Sequence, residues 1–285
     1  ATRTLALVCA ALPALSTKPP NPLGALAAAQ LDGIFGHVLG TSRAAASSSE
    51  KARFILDRIL RRRRVLPGVE AEPSEAARVL HLPAIQAFLE SDEPVLLALP
   101  AFPAKAPNPT KVLGRLPDLA ESLALHALQS LLDEIGEAHP PGAQLVICSD
   151  GGVFADAVGV PDADVAAYRR ELQRMIDELG DARIRIFGLE DAFGAKTPAK
   201  ARQMLFDAYA QPVAEIHERA KRSPLHATQV DGIHRFLFED EVALHPELSR
   251  TQARKQTRER AYEVVRRSEA WGQLVSAAFP RAVRL

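Results

Sequence analysis

Short apolar runs alternate with amphipathic stretches through the middle of the chain. Pro94-Val-Leu-Leu-Ala-Leu99, Ala143 to Cys148 and Ala182 to Phe187 have the length and apolar content of strands. Between the first two, Leu119, Leu123, Leu125, Leu128, Leu131, Leu132 and Ile135 make a broad helical face that His139-Pro-Pro-Gly142 stops. Between the second and third, Asp162-Ala-Asp164 is expected to cap a helix over Val165 to Leu179, and Gly188 to Thr197 reads as a loop. Strands alternating with helices predict an α/β domain with a mostly parallel sheet.

The flanks are helical. Lys18-Pro-Pro-Asn-Pro22 reads as a linker, and Leu23 to Leu39 as an Ala-rich helix. Ser47-Ser-Ser-Glu50 is a capping-box signature opening a helix through Arg64, with Phe54, Ile55, Ile59 and Leu60 at helical spacing. Pro73 to Glu90 predicts two short helices split at Pro83. Further on, a helical region from Pro198 to Lys221 is expected to kink or divide at Pro212, another spans Thr228 to Glu241, and a very basic helix starts at Ser249. The first fifteen residues carry one early Arg and a short apolar run, as a secretory leader does. No small-x-small cleavage site follows, so a core strand or helix is expected there.

Composition narrows the function classes. The 285 residues are 47% apolar, enough for a sizeable core, and 35 acidic residues balance 35 basic ones, so no overall field favours nucleic acid or an anionic membrane. The run Arg61-Arg-Arg-Arg64 suits the negative end of a helix and has no interleaved aromatic residues, which argues against a nucleic-acid surface. No run is long and apolar enough to cross a bilayer. Cys9 and Cys148 fit neither a disulfide framework nor a zinc pattern, which agrees with a reducing, cytoplasmic compartment; Cys148 lies in a strand and is expected to be an inert core residue. Eight histidines show no metal-ligand spacing, and no metal is expected.

Candidate chemistry gathers after the first strand. Pro100, Pro103, Pro107 and Pro109 stiffen a loop that carries Lys105, Asn108, Lys111 and Arg115 and ends in Asp118 and Glu121 at a helix start. Cations ahead of a helix N-terminus suggest a phosphate or carboxylate site, although a solvated crossover explains them equally well. The second strand delivers Ser149-Asp150-Gly-Gly to its carboxyl end, the edge at which open α/β sheets bind ligands. The glycines permit a sharp turn or a close backbone approach, and Asp150 is either a ligand-facing carboxylate or a turn residue capping its own backbone. His234, Arg235, Glu239 and Asp240 fall within two helical turns, where Arg235 and Glu239 can pair and His234 can be a satisfied core residue. Arg250, Arg254, Lys255, Arg258, Arg260, Arg266 and Arg267 outnumber Glu259, Glu263 and Glu269, so an anionic ligand or the acidic side of another helix is a candidate partner. Trp271 reads as core packing.

Three segments resemble a known family in order. The run from Phe102 to Glu121, FPAK-x-PNP-x-KVLG-x-LPD-x-AE, resembles the signature of the isocyanide (isonitrile) synthases, the pyoverdine/dityrosine biosynthesis family. Ser149-Asp-Gly-Gly-Val-Phe154-Ala-Asp156 with Gly159-Val, and His234-Arg-Phe-Leu-Phe-Glu-Asp240 followed by Arg267-Ser-Glu-Ala-Trp271 and Phe279-Pro280, are similar to later motifs of that family. The expected fold is α/β, a Rossmann-like, mostly parallel sheet flanked by helices with a helix-rich C-terminal half. Residues 1–90 form an N-terminal helical region poorly matched to the family, and residues 91–285 the catalytic region. The family pattern places a hydroxyl residue where this chain has Ala106. It also continues past Leu285, so the chain is expected to be truncated at its C-terminal end.

The resemblance implies conversion of the α-amine of an amino acid, tryptophan or tyrosine, to an isocyano group. The carbon comes from C2 of ribulose 5-phosphate as co-substrate, with no metal or organic cofactor. It implies a role in natural-product biosynthesis, with an Fe(II)/2-oxoglutarate-dependent oxygenase as a pathway partner acting on the product. On the matching motifs, the implied catalytic residues are Lys105, Asp150, His234, Glu239 and Asp240. The implied substrate-binding residues are Phe102, Asn108, Lys111, Arg115, Asp118, Arg235, Arg250, Lys255, Arg267 and Trp271. Lys105, near other cations in a stiff and partly desolvated loop, is expected to have a lowered pKa and to act as a general base. Two other readings use the same residues: a sugar-phosphate lyase or isomerase with Lys105 as a Schiff-base amine, and a non-catalytic protein whose basic helix 250–267 docks an acidic partner.

Overall fold

A computed structural model describes residues 47–62 and 75–285. The expected leader-like start, the linker and helix before Ser47, Cys9 and the Arg63-Arg64 end of the basic run lie outside the described residues. In chain order the elements are α1 (Ser48–Arg61), α2 (Glu75–Glu90), β1 (Val95–Pro100), α3 (Leu119–Ala138), β2 (Ala143–Cys148), α4 (Gly151–Val158), α5 (Asp162–Leu179) and β3 (Ile184–Phe187). Then come α6 (Leu189–Phe193), α7 (Pro198–Tyr209), α8 (Val213–Arg222), α9 (Pro224–Leu244), α10 (Arg250–Ala278) and β4 (Val283–Arg284).

The four strands form one parallel sheet in the order β3-β2-β1-β4, with Leu97 opposite Leu145 and Val283, and Leu145 opposite Ile184. The two-residue period of a strand divides the core into two layers. Leu97, Leu145 and Ile147 face one layer with Ile55 and Leu56 of α1, Ile85 and Phe88 of α2, Leu132 and Ile135 of α3, and Leu172 of α5. Ala98, Val146 and Cys148 face the other, with Phe154 of α4, Leu205 of α7, Leu237 of α9 and Val264, Trp271 and Val275 of α10. The crossovers through α3 and α5 therefore share one face, and α10 lies on the opposite face. β4 follows α10 and pairs on the free side of β1, so the strand order reverses between β1 and β4. In open α/β sheets ligands bind at the carboxyl ends of strands beside such a reversal.

Three local expectations are corrected, and one strand was not foreseen. Pro83 does not split α2, which runs through it. Burial of Ile85, Phe88 and Leu89 immediately after the proline, each contributing about 1.5–3 kcal/mol, outweighs the roughly 3 kcal/mol cost of Pro in a helix. Asp162 and Asp164 do not cap α5: the N-cap is Pro161, with no side-chain bond, and the two carboxylates reach Arg202 and Arg115. The stretch from Gly188 to Thr197 contains α6, where the Gly188 N–H donates to Asp191 and Gly194 ends the helix in the left-handed region; five residues are too few to show a helical period. β4, two residues long, gave no strand signal at all. Pro212 does divide α7 from α8, where it is the N-cap of α8.

Candidate active site

The loop from Ala101 to Asp118 lies directly on the carboxyl end of β2. Ser149 Oγ donates to the Phe102 carbonyl at 2.9 Å, and a Cβ on Gly151 would fall 1.7 Å from the Pro103 carbonyl oxygen. Only glycine permits that approach, so the second motif is shaped by the first. Phe102 sits at φ 55, a left-handed conformation that costs a non-glycine residue roughly 1–2 kcal/mol; its ring is buried in the core shared with α1, α2 and α3.

Lys105 turns inward. Its ammonium lies 2.5 Å from Glu121 Oε1, 2.7 Å from Oε2 and 3.1 Å from Asp118 Oδ2. Glu121 also accepts from the Tyr168 phenol Oη–H at 3.1 Å and from the Asp118 N–H at 2.9 Å. Burial works against the Lys105 charge, but the hydrogen bonds and fields of Glu121 and Asp118 outweigh it, and the net shift is upward. This corrects the expectation of a lowered pKa. The loop cations that would have lowered it point elsewhere, and two carboxylates replace them. A raised pKa and two carboxylate partners disfavour both a general base and a Schiff-base amine at Lys105 at neutral pH. Asp118, the N-cap of α3, is held below its ordinary value first by the Ala120 N–H and then by Lys105.

The remaining loop side chains tie it to the helices on both sides. Asn108 Oδ1 accepts from the Thr110 N–H and hydroxyl, while its Nδ2 donates to buried Asp240 of α9 at 3.0 Å. Lys111 Nζ lies 2.8 Å from Asp240 and 3.5 Å from Glu239, and 4.5 Å from the Phe236 ring centre. Arg115 reaches Asp164 of α5 at 2.6 Å. Two residues assigned to catalysis, Glu239 and Asp240, therefore meet two assigned to substrate binding, Lys111 and Asn108.

Asp150 is the polar group left without a partner beneath this loop. It is the N-cap residue of α4 but makes no side-chain capping bond, and its buried Oδ1 has no hydrogen-bond partner. Burial, opposed only by a local backbone N–H, pushes its pKa up to about 7. A carboxyl group of that pKa both gives and takes protons near neutrality. Cys148, two residues earlier, is fully buried and its thiol is pushed up to about 12, first by burial, which makes it a core residue rather than a nucleophile.

The basic helix α10 is neutralised largely by its neighbours. Arg258 pairs with Asp231 and Arg260 with Glu241, both on α9, and Arg266 pairs with Glu263. Buried Arg267 holds both oxygens of Asp156 at 2.6 and 3.1 Å and donates to the Val153 carbonyl, binding α10 to α4. Burial works against Asp156 ionising, yet the Arg267 hydrogen bonds and the fields of Arg267 and Arg202 hold its pKa below the ordinary value. The acidic side of another helix is thus the partner for much of the stripe. Arg250, Arg254 and Lys255 at the start of α10 have no carboxylate partner among the described residues; the two arginines lie 5.5 and 5.6 Å from the Phe238 ring centre. His234 Nε2 is 3.2 Å from the Arg254 carbonyl and ties α9 to α10, and Arg235 is exposed and not paired with Glu239. Trp271 is buried, stacked on Phe187 with ring centres 5.9 Å apart, and packs α10 onto β3.

Sequence reasoning passed over Tyr168, Asp156 and Arg202 as site residues. Asp156 lies within the second motif and was open to notice. Tyr168 and Arg202 carry no local signal, because their partners Glu121 and Asp162 are 47 and 40 residues away. Among the described residues no three His, Cys, Asp or Glu side chains gather as a metal site.

Comparisons with known proteins identify relatives of the chain. A family profile described as "Pyoverdine/dityrosine biosynthesis protein" matches residues 85–285. The chain is 43% identical over 234 residues to the L-tryptophan isonitrile synthase AmbI1 of Fischerella ambigua, covering 81% of this chain and 73% of that protein. It is 41% identical over 251 residues to the L-tyrosine isonitrile synthase of Pseudomonas aeruginosa, covering 85% and 76%. The crystal structure of the PvcA protein from Pseudomonas aeruginosa superposes with a TM-score of 0.75 at 41% identity, over 82% of this chain and 78% of that one.

Proposed function

The chain belongs to the pyoverdine/dityrosine biosynthesis family, and from that premise we propose that it is an isonitrile synthase converting the α-amine of L-tryptophan or L-tyrosine to an isocyano group, with ribulose 5-phosphate as carbon donor, in natural-product biosynthesis. The observation that carries this reading is Asp150: a half-buried carboxyl group whose buried Oδ1 has no hydrogen-bond partner, with its pKa pushed up to about 7, at the ligand-binding edge of the sheet. For the amine to attack the C2 ketone it must be free of its proton, and for the resulting carbinolamine to become an imine a hydroxyl must leave as water. One group that changes protonation near neutrality serves both steps. Later proton losses from the sugar carbons call on the same group. The free cations Arg250, Arg254 and Lys255 offer charge-assisted donors for the sugar phosphate. No metal or organic cofactor enters the proposal, and the product is a substrate for an Fe(II)/2-oxoglutarate-dependent oxygenase.

The raised pKa and double carboxylate grip on Lys105 disfavour the Schiff-base lyase. The test is incubation with ribulose 5-phosphate and each aromatic amino acid, followed by trapping of isocyanide. Isocyanide from L-tryptophan or L-tyrosine is the expected result; turnover of the sugar phosphate alone would count for the lyase.

A further inference from the structure

A cavity of about 140 Å³ opens on the carboxyl side of the sheet between α4, α5, α6 and α7. Ser149 and Gly152, which flank Asp150 in the chain, form part of its wall. Leu189 and Val165 supply apolar surface, and Ala166, Ala195 and Ala201 contribute nothing larger than a methyl group. None of the loop residues from Phe102 to Asp118 lines it. Its size is that of a cavity that takes up a benzene ring, about 150 Å³.

Charge decides between the two substrates. Asp162, Glu190 and Arg169 are the charged residues of its wall, and the one cation is already engaged, with Glu190 and with Asp191, each at 2.7 Å; Asp162 is held from outside the wall by Arg202 at 2.8 Å. One net negative charge and no free cation on the wall repel a phosphate dianion, so the helix N-termini of α5 and α7 here do not form an anion site. Small apolar walls with a carboxylate at the mouth favour a flat apolar group, and Glu190, a half-exposed acceptor, suits one whose edge carries an N–H or O–H donor.

We infer that this cavity holds the planar aromatic side chain of the amino-acid substrate, placing its α-amine beside the Asp150 carboxylate; the inference rests on the proposed isonitrile synthase reading. The residues that set ring size are then Gly152, Ala166 and Leu189. A Cβ on Gly152 would meet only the Leu189 side chain, Cδ1 at 3.6 Å and Cγ at 3.9 Å, both ordinary contacts, so Gly152→Ala adds a methyl to the wall without disturbing the fold. Ala166 is exposed on α5, so Ala166→Phe reaches the cavity from its rim.

The experiment is calorimetric binding of L-tryptophan, L-tyrosine and L-alanine to the parent protein, Gly152→Ala and Ala166→Phe, with melting temperatures as the folding check and KM for ribulose 5-phosphate measured alongside. Expected are about tenfold or greater losses of L-tryptophan affinity in Ala166→Phe and a smaller loss in Gly152→Ala. L-alanine binding and the ribulose 5-phosphate KM should be unchanged. If folded variants bind L-tryptophan and L-tyrosine as the parent does, or if the parent binds neither, the inference is overturned. A selective rise in the ribulose 5-phosphate KM would also overturn it by assigning the cavity to the sugar. Binding is read without turnover, so a parent that binds L-tryptophan in this cavity yet forms no isocyanide would sink the reaction reading alone.

Discussion

The Lys105 ammonium grips the Glu121 carboxylate across sixteen residues of chain, within 2.7 Å of both oxygens, with the two side chains only 6% and 3% exposed. The pair fastens the first turn of α3 to the loop above it, and Tyr168 adds α5 to the same joint.

Removing one member leaves the other charge buried. Lys105→Met is therefore expected to destabilise the protein by about 3–5 kcal/mol in denaturant titrations. Lys105→Met combined with Glu121→Leu should recover much of that loss, because two apolar groups need no partners. A folded pKa raised above the unfolded one means that the contribution is complete at neutral pH and fades only as alkali deprotonates the lysine. The deficit of the single variant should thus be constant between pH 6 and 9. A loss of turnover with no loss of stability would restore a chemical role to Lys105.

Asp150 has the opposite sign to an ordinary ion-paired carboxylate. Its folded pKa of about 7 lies above the unfolded value, so the folded state holds a proton that the unfolded state releases, and stability falls as pH rises from about 4 to 7. Asp150→Asn should flatten that part of the stability curve and be relatively most stable above pH 7. In turnover it should lose on the order of 10²–10⁴-fold in kcat, together with the inflection near pH 7 in the parent's pH–rate profile. An unchanged inflection in the variant would assign it to another group.

Gly151 tests whether the loop must rest on β2. Gly151→Ala drives a Cβ into the Pro103 carbonyl, which is backbone and cannot rotate away. The loop must lift, taking Phe102 from its pocket and Lys105 from Glu121. A fall in kcat/KM of at least tenfold is expected, with the far-UV spectrum retained and hydrogen exchange accelerated in residues 101–118. Wild-type exchange in that segment would show that the contact is dispensable.

The two-residue and helical periods, the capping box at Ser47 and the proline breaks are contacts between near neighbours, so the sequence alone placed β2 at its observed ends and foresaw α3, α10 and the division at Pro212. Three ordered motifs also identified the family and named the loop that crosses the sheet edge. What each motif side chain does was beyond that reach. Lys105 and Asp118 stand among cations in the sequence, but the chain turns the loop's other two cations, Lys111 and Arg115, outward to different helices and leaves Lys105 facing two acids. Asn108 meets Asp240 across 132 residues, Arg267 meets Asp156 across 111, and β4 becomes a strand only because β1 offers it an edge. The free carboxylate of Asp150 is likewise a tertiary property. A charge is raised or lowered by the groups that surround it in space, at distances of a few ångströms, and the linear order of residues does not contain those distances.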